Sequence, residues 1–385
     1  MRANIFTQAI KKFVFKDIKF TLALLRYHWR YFLATNLLYS FDNRFIKPAR
    51  INIMLTGKCN LRCEMCSQWG EHSSELHPAQ KSGHMDYGLI EKIIKEVAHY
   101  RPMIYLWGGE PLLHPDIELI LGLIKKYNLD CLINTNGTML EKNAEILVKN
   151  NITAVLISLL GDEGVHDKVT NVKGSYRKVI DGVNTLKAVK AKFGKMKPFI
   201  QAHTIITPSN YNITDKLIIQ AEEKGFDTIW LQSICFITKN QGESYNNIME
   251  KEFGVKGVSW KGFVLDPVIN TDIFIEKINV GLSKLNSTVP IVVPSAHPSN
   301  IKKYFLNPEA PIKNQVCSIL WNQIDILPNG DVVACHDFQD YITGNVNGSP
   351  VLEIFNNEKY KKIRNYIRKK RPFPICSRCV GTLSV

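Results

Sequence analysis

The sequence predicts an α/β protein: a partial (β/α)6 parallel barrel, a small C-terminal α+β unit, and an N-terminal amphipathic helix. Three observations predict it. Apolar runs alternate with amphipathic stretches from residue 51 to 235. After residue 317 the texture changes to short strands and turns. The first 45 residues hold a basic, aromatic stretch of helical period. The chain has 385 residues, 45% hydrophobic and 22% charged. That is ordinary globular usage and excludes disordered or collagen-like classes.

Each element has its own signal. Runs at 51–55, 103–107, 131–134, 154–158, 199–206 and 228–232 read as strands. Stretches at 87–99, 117–127, 141–149, 175–193 and 213–224 read as the intervening helices. This alternation implies parallel strands with right-handed crossovers, and chemistry beyond their carboxyl ends. The boundaries follow: an N-terminal helix over 1–45, a barrel over 46–235, a connecting or lid segment over 236–310 and a C-terminal unit over 311–385. The connection carries a helix near 271–285 and a strand near 289–293. The last unit carries the turn Pro328-Asn329-Gly330-Asp331 and a basic helix at 356–371.

Net charge is +14, and the excess sits at the two ends. Residues 1–50 hold ten Lys/Arg against Asp17 and Asp42, and 358–385 hold nine against Glu358. Basic ends meet phosphate, of nucleic acid or of lipid. In the N-terminal helix Lys12, Lys16, Lys19, Arg26 and Arg30 form one stripe beside an apolar arc. Two readings stand: a helix packed on the protein or on a second copy, or one lying in a membrane interface. No run approaches the length of a transmembrane helix, and the lysines interrupt any signal peptide. The expectation is a cytoplasmic protein, with peripheral contact at the inner membrane face as the option the helix adds.

Nine cysteines are an odd number and too sparse for a disulfide scaffold. Thiols in such a chain suit a reducing compartment and metal or catalytic work. Cys59, Cys63 and Cys66 form Cys-x3-Cys-x2-Cys just after the first strand. Three thiolates on one loop suit three corners of an iron–sulfur cube, leaving one iron open. A zinc site would take its fourth ligand from His72 or His77. Further strand-end motifs follow in order: Trp107-Gly108-Gly109-Glu110-Pro111, Asn134-Thr135-Asn136-Gly137, and Ser158.

Together these resemble the signatures of the radical S-adenosylmethionine (radical SAM) enzymes, over roughly 46–235. The resemblance implies a SAM-binding 4Fe-4S cluster on Cys59, Cys63 and Cys66, with Met65 as the apolar residue before the third cysteine. It implies SAM contacts from Gly108, Gly109, Glu110, Pro111, Asn134, Asn136 and Ser158. Read from their chemistry, the glycines permit close backbone approach to an ammonium group, and Glu110 offers a countercharge. The chain departs from the family at Leu160, where an acidic residue is common, and near Lys168, where an arginine is common. Lys168 or Lys173 is the available substitute.

A second constellation is Cys317, Cys335, Cys376 and Cys379. Four thiolates close a second cluster completely or hold a structural zinc. The pattern is similar to the short "twitch" form of the SPASM extension, which implies one auxiliary 4Fe-4S cluster. Cys131 reads as core. Cys235 and His203 read as structural residues near the pocket.

The expected function is reductive cleavage of SAM to a 5′-deoxyadenosyl radical and hydrogen abstraction from a substrate. A fully ligated second cluster favours electron loss and so a net oxidation, making the enzyme an oxidoreductase. The expected substrate is a small molecule or a lipid-linked sugar, and the electron donor a flavodoxin or ferredoxin. The alternatives are a peptide-modifying maturase and, in a different class, a zinc-ribbon nucleic-acid binder using the basic ends. No specific nucleic acid is expected, and no residue is assigned as base or radical relay.

Overall fold

The computed structural model describes Trp29 and residues 46–69, 82–312, 317–370 and 372–383. The N-terminal helix, apart from Trp29, lies outside the described residues, as do His72 and His77. Among the described residues no helix is long and apolar enough to cross a membrane.

The six expected strands form where the apolar runs lie: β1 (Arg50–Thr56), β2 (Met103–Gly108), β3 (Cys131–Thr135), β4 (Ala154–Ser158), β5 (Phe199–Ile206) and β6 (Thr228–Ser233). Each pairs in parallel with the next. Their alternate residues, such as Ile51, Ile53, Ile104, Leu106, Ile133, Val155 and Ile229, are buried against the helices in one apolar core. The helix Tyr87–Val97 supplies Ile90, Ile93, Ile94 and Val97 to that core, at the spacing of one helical face. Its start is fixed by Asp86, whose side chain accepts from the Leu89 N–H at 3.1 Å.

The sheet extends beyond six strands on both sides. Its order is β10-β9-β8-β1-β2-β3-β4-β5-β6-β7. β7 (Val289–Val293), in the stretch expected to be a connection, pairs in parallel with β6. β8 (Gln323–Ile326) pairs in parallel with β1, and β9 (Asp331–Val333) and β10 (Ile342–Asn345) continue it antiparallel. The C-terminal unit is thus an extension of the barrel sheet. One side-chain pair far apart in sequence joins the two strands: Asn52 Nδ2 donates to Asp325 Oδ1 at 2.6 Å, a buried bond between residues in register on β1 and β8.

The basic helix expected at 356–371 forms over Glu358–Lys370, and short helices are added to the expectation; one, Val351–Phe355, precedes it. Asn357 separates them, its Oδ1 accepting from the Tyr360 N–H at 2.9 Å as a new N-cap. A helix at Glu163–Thr170, absent from the sequence reading, follows β4, capped by Asp162. Its apolar periodicity is short, which hides it in the sequence.

Candidate active site

The loop after β1 carries Cys59, Cys63 and Cys66, all half-buried and in no disulfide. Three neighbours shape it. From the β2 turn, the Gly109 N–H donates to Thr56 O and the Glu110 N–H to Lys58 O, each at 2.8 Å. From the helix Glu163–Thr170, the terminal carbonyls of Val169 and Thr170 accept from Glu64 N–H at 2.9 Å and Arg62 N–H at 3.1 Å. From the β3 turn, Asn136 Nδ2 donates to Asn60 Oδ1 at 2.8 Å and to Cys59 Sγ at 3.7 Å. The loop is held by the protein alone, which preorganises its thiols.

The two glycines have a packing reason. A Cβ on Gly109 would stand 2.1 Å from Lys58 O, and one on Gly108 2.3 Å from Thr56 O. Gly108 also has φ of +147°, in the region that favours glycine. Their backbone approaches the cysteine loop itself. Glu110 turns inward and is fully buried. It accepts from Thr135 Oγ1 at 2.8 Å, Asn136 N–H at 2.7 Å and Leu112 N–H at 3.0 Å. Burial pushes its carboxyl up to about 7, against these donors. Three of a carboxylate's roughly four acceptor positions are filled within the protein, so Glu110 fastens the β2 turn to the β3 turn. Pro111 begins the single turn that follows.

Asn134 stands half-buried on β3, its Oδ1 without a partner among the described residues. Ser158 ends β4, in register with His203 of β5. Met65 packs on Ile234, Phe236, Tyr304 and Ile312. The loop after β4, where Leu160 stands, is pinned by His166 Nδ1, which accepts from the Leu160 N–H at 3.2 Å. Desolvation holds that imidazole neutral, at about 4.

Burial raises all three thiols, Cys63 to about 12, and the charges of Cys59 and Cys66 add to the rise at Cys63. They are close enough to feel one another. The donor set is three soft sulfurs on a preshaped, half-buried loop, which fits an iron–sulfur cube. Binding would release their protons. Among the described residues no three His, Cys, Asp or Glu side chains form a single-ion group; a cube spreads its thiolates over separate irons.

Cys317, Cys335, Cys376 and Cys379 gather at the other site. Burial raises every one of them, Cys379 to about 12. Mutual repulsion adds to it: Cys376 feels Cys379 and Cys317, and Cys335 feels Cys379 and Cys376. Cys235, half-buried just after β6, belongs to the same neighbourhood, since Cys379 helps raise its thiol and it helps raise that of Cys376. Sequence spacing gave no signal for this fifth thiol.

Arg378, between the paired cysteines, also went unseen. It is fully buried and donates to the carbonyls of Tyr304 at 2.7 Å, Ala310 at 3.1 Å and Lys303 at 3.2 Å, and to that of Asn307. It caps the C-terminus of the helix Pro298–Leu306, where orphan carbonyls favour a cation.

With this geometry in place, comparison with known proteins gives a consistent answer. Residues 53–196 match the Radical SAM superfamily, and 317–380 match SPASM, an iron-sulfur cluster-binding domain. The chain is 24% identical over 347 residues to the tungsten-containing aldehyde ferredoxin oxidoreductase cofactor-modifying protein of Pyrococcus furiosus, covering 84% of this chain and 85% of that one. Its fold is similar to SuiB of Streptococcus suis, solved bound to S-adenosylmethionine, with a TM-score of 0.60 and 16% identity over 83% of this chain and 68% of that one. It is also similar to anSMEcpe, solved with AdoMet and a peptide, with a TM-score of 0.53 and 17% identity over 82% of this chain and 81% of that one. The two domains imply SAM, a 4Fe-4S cluster and an auxiliary cluster. The chain is a radical SAM enzyme with a C-terminal SPASM iron–sulfur domain.

Proposed function

We propose that Cys59, Cys63 and Cys66 hold the SAM-binding cluster, that Cys317, Cys335, Cys376 and Cys379 hold the auxiliary cluster, and that the enzyme carries out a net oxidation of a small molecule. When bound, the first cluster supplies the electron that splits SAM into methionine and a 5′-deoxyadenosyl radical, and the second supplies an electron acceptor. The protein's own share is positional. The Gly108–Gly109 turn brings backbone against the cysteine loop. The unpartnered Asn134 Oδ1 and the half-buried Ser158 offer polar contacts to SAM from β3 and β4. Glu110 keeps the β2 and β3 turns in register beneath them. Partial burial of both thiol sets limits the water that reaches a reactive radical.

The observation that carries this reading is the cysteine loop, held in shape by two strand-end turns and the end of a helix. A second reading, a peptide-modifying maturase, is favoured by SuiB having been solved with its precursor peptide SuiA. With dithionite and SAM under anaerobic conditions, the purified protein is expected to release 5′-deoxyadenosine. The variant with Cys59, Cys63 and Cys66 all changed to Ala is expected to release none. Equal release from that variant contradicts the assignment.

A further inference from the structure

The helix Glu358–Lys370 takes no part in either cysteine site, and its surface is strongly basic. Among its Lys/Arg only Arg364 is buried; Lys359, Lys361, Lys362, Arg368, Lys369 and Lys370 reach solvent. A groove of about 450 Å³ runs beside it. Phe253, Val255, Tyr341 and Ile342 give the groove an apolar lining, and Lys359 and Lys362 stand on its rim. The two carboxylates at the groove are already engaged. Asp340 accepts from the Tyr245 hydroxyl at 2.9 Å and from the N–H groups of Val258 and Ser259 at 2.9 and 3.0 Å. Glu358 pairs with Lys361 at 2.7 Å. Among the described residues the rim lysines meet no carboxylate: Lys359 donates to the Ile342 carbonyl at 3.2 Å, and Lys362 lies over the Phe253 ring at 5.5 Å.

Behind the groove stands an aromatic wall that ends on the second set of cysteines. Phe253, in the groove, meets Tyr366 at 5.4 Å and Phe373 at 6.1 Å between ring centroids. Tyr366 and Phe373 stack at 5.1 Å and 13°. Phe373 stands just before Cys376, whose N–H donates to the Phe373 carbonyl at 2.9 Å. Tyr245 meets Phe373 at 5.4 Å and Phe338 at 6.0 Å. The Phe338 N–H is in turn hydrogen-bonded to the Cys335 thiol. Packed rings thus join a basic surface groove to Cys335 and Cys376.

We propose that this groove docks an acidic one-electron carrier protein, of the flavodoxin or ferredoxin class, which takes up the electron that substrate oxidation leaves at the auxiliary site. The proposal rests on the auxiliary-cluster reading: an acceptor filled at each turnover has to be emptied before the next. One electron passes from the reduced cube to the oxidised carrier, and no atom is transferred. Three arguments select the occupant. The first is charge. Residues 1–50 hold ten Lys/Arg against Asp17 and Asp42, and the whole chain carries +14, so neither the N-terminal segment nor a second copy suits a basic rim. An acidic surface does. The second is size. A small groove with charges around an apolar lining suits the brief, small-area encounters of electron-transfer partners. The third is position. The ring contacts lead from the groove to Cys376, a connection that serves a redox partner and gives nothing to a lipid surface.

The test uses the full chain with Cys59, Cys63 and Cys66 changed to Ala, so that the auxiliary site holds the only cluster, and its iron is counted first. The reduced protein is mixed with oxidised flavodoxin at low salt, and the flavin semiquinone is followed by stopped-flow absorbance. A small neutral quinone serves as the oxidant that needs no docking. Lys359→Glu with Lys362→Glu is expected to slow the flavodoxin reaction about tenfold to a hundredfold and to leave the quinone reaction unchanged. Lys359→Gln with Lys362→Gln is expected to slow it about threefold to tenfold, and decides the matter if the Glu pair does not retain iron. High salt is expected to slow the reaction of the chain with both lysines toward that of the variants. The inference is overturned if the flavodoxin rate is unchanged by the substitutions, if both oxidants slow equally, or if the substitutions abolish only binding to phosphatidylglycerol vesicles. A chain without iron overturns the auxiliary-cluster reading and this inference with it. About four iron atoms with an unchanged flavodoxin rate overturn this inference alone.

Discussion

Gly109 and Glu110 show how single residues govern the site. Gly109→Ala forces a methyl to 2.1 Å from Lys58 O, a backbone atom that gives way only by moving the cysteine loop. The expected cost is about 1–3 kcal/mol of stability, with reduced iron retention. Gly122, in the helix Ile117–Lys126, has nothing within 4 Å of its missing Cβ. Gly122→Ala is expected to stabilise by roughly 0.5–1 kcal/mol, and denaturant titration of the two variants checks the contrast. Glu110→Ala strands three buried donors and is expected to lower stability by about 1–3 kcal/mol or more; Glu110→Gln keeps the shape and loses less. The sequence located both residues by motif. Their direction was hidden, because a motif records which residues stand in a turn and not which way a carboxylate faces.

Among the elements, β7 is the informative one. Its residues read as a strand from their apolar, β-branched run. Its place beside β6 did not, because a stretch of more than fifty residues separates the two and periodicity carries no pairing information. The structure fixes its start through Glu222, at the end of the helix Thr214–Glu223. Burial alone would raise that carboxyl. The N–H groups of Ser287 and Thr288 and the Ser287 hydroxyl outweigh burial and hold it down at about 2. A depressed acid stabilises the fold above its unfolded value near 4.3 and loses that contribution as pH falls toward 2. The melting temperature of Glu222→Gln is therefore expected to lie below wild type at pH 7, and the gap to narrow below about pH 4.5. A gap constant with pH contradicts the role given to the charge.

On the scale of the whole molecule, the six-unit alternation was legible because each unit is local in sequence. What escaped was long-range. β8 lies beside β1, where Asp325 meets Asn52, so one sheet runs from the C-terminal unit into the barrel. Arg378 joins the paired cysteines to the helix Pro298–Leu306. Arg378→Met strips four carbonyls of a buried donor and is expected to lower stability by roughly 2–4 kcal/mol, read as an earlier denaturant midpoint. Neither contact has a signature in local composition or spacing.

The two-site account is tested most directly by counting iron. Anaerobically reconstituted wild type is expected to hold about eight iron atoms per chain, four for each cube. The variant with Cys59, Cys63 and Cys66 changed to Ala is expected to hold about four and to release no 5′-deoxyadenosine. Cys376→Ala with Cys379→Ala, checked for folding by circular dichroism, is expected to lose the other four and to retain some SAM cleavage. Stoichiometric zinc with no iron in the wild type, or iron unchanged by either set of substitutions, contradicts the account.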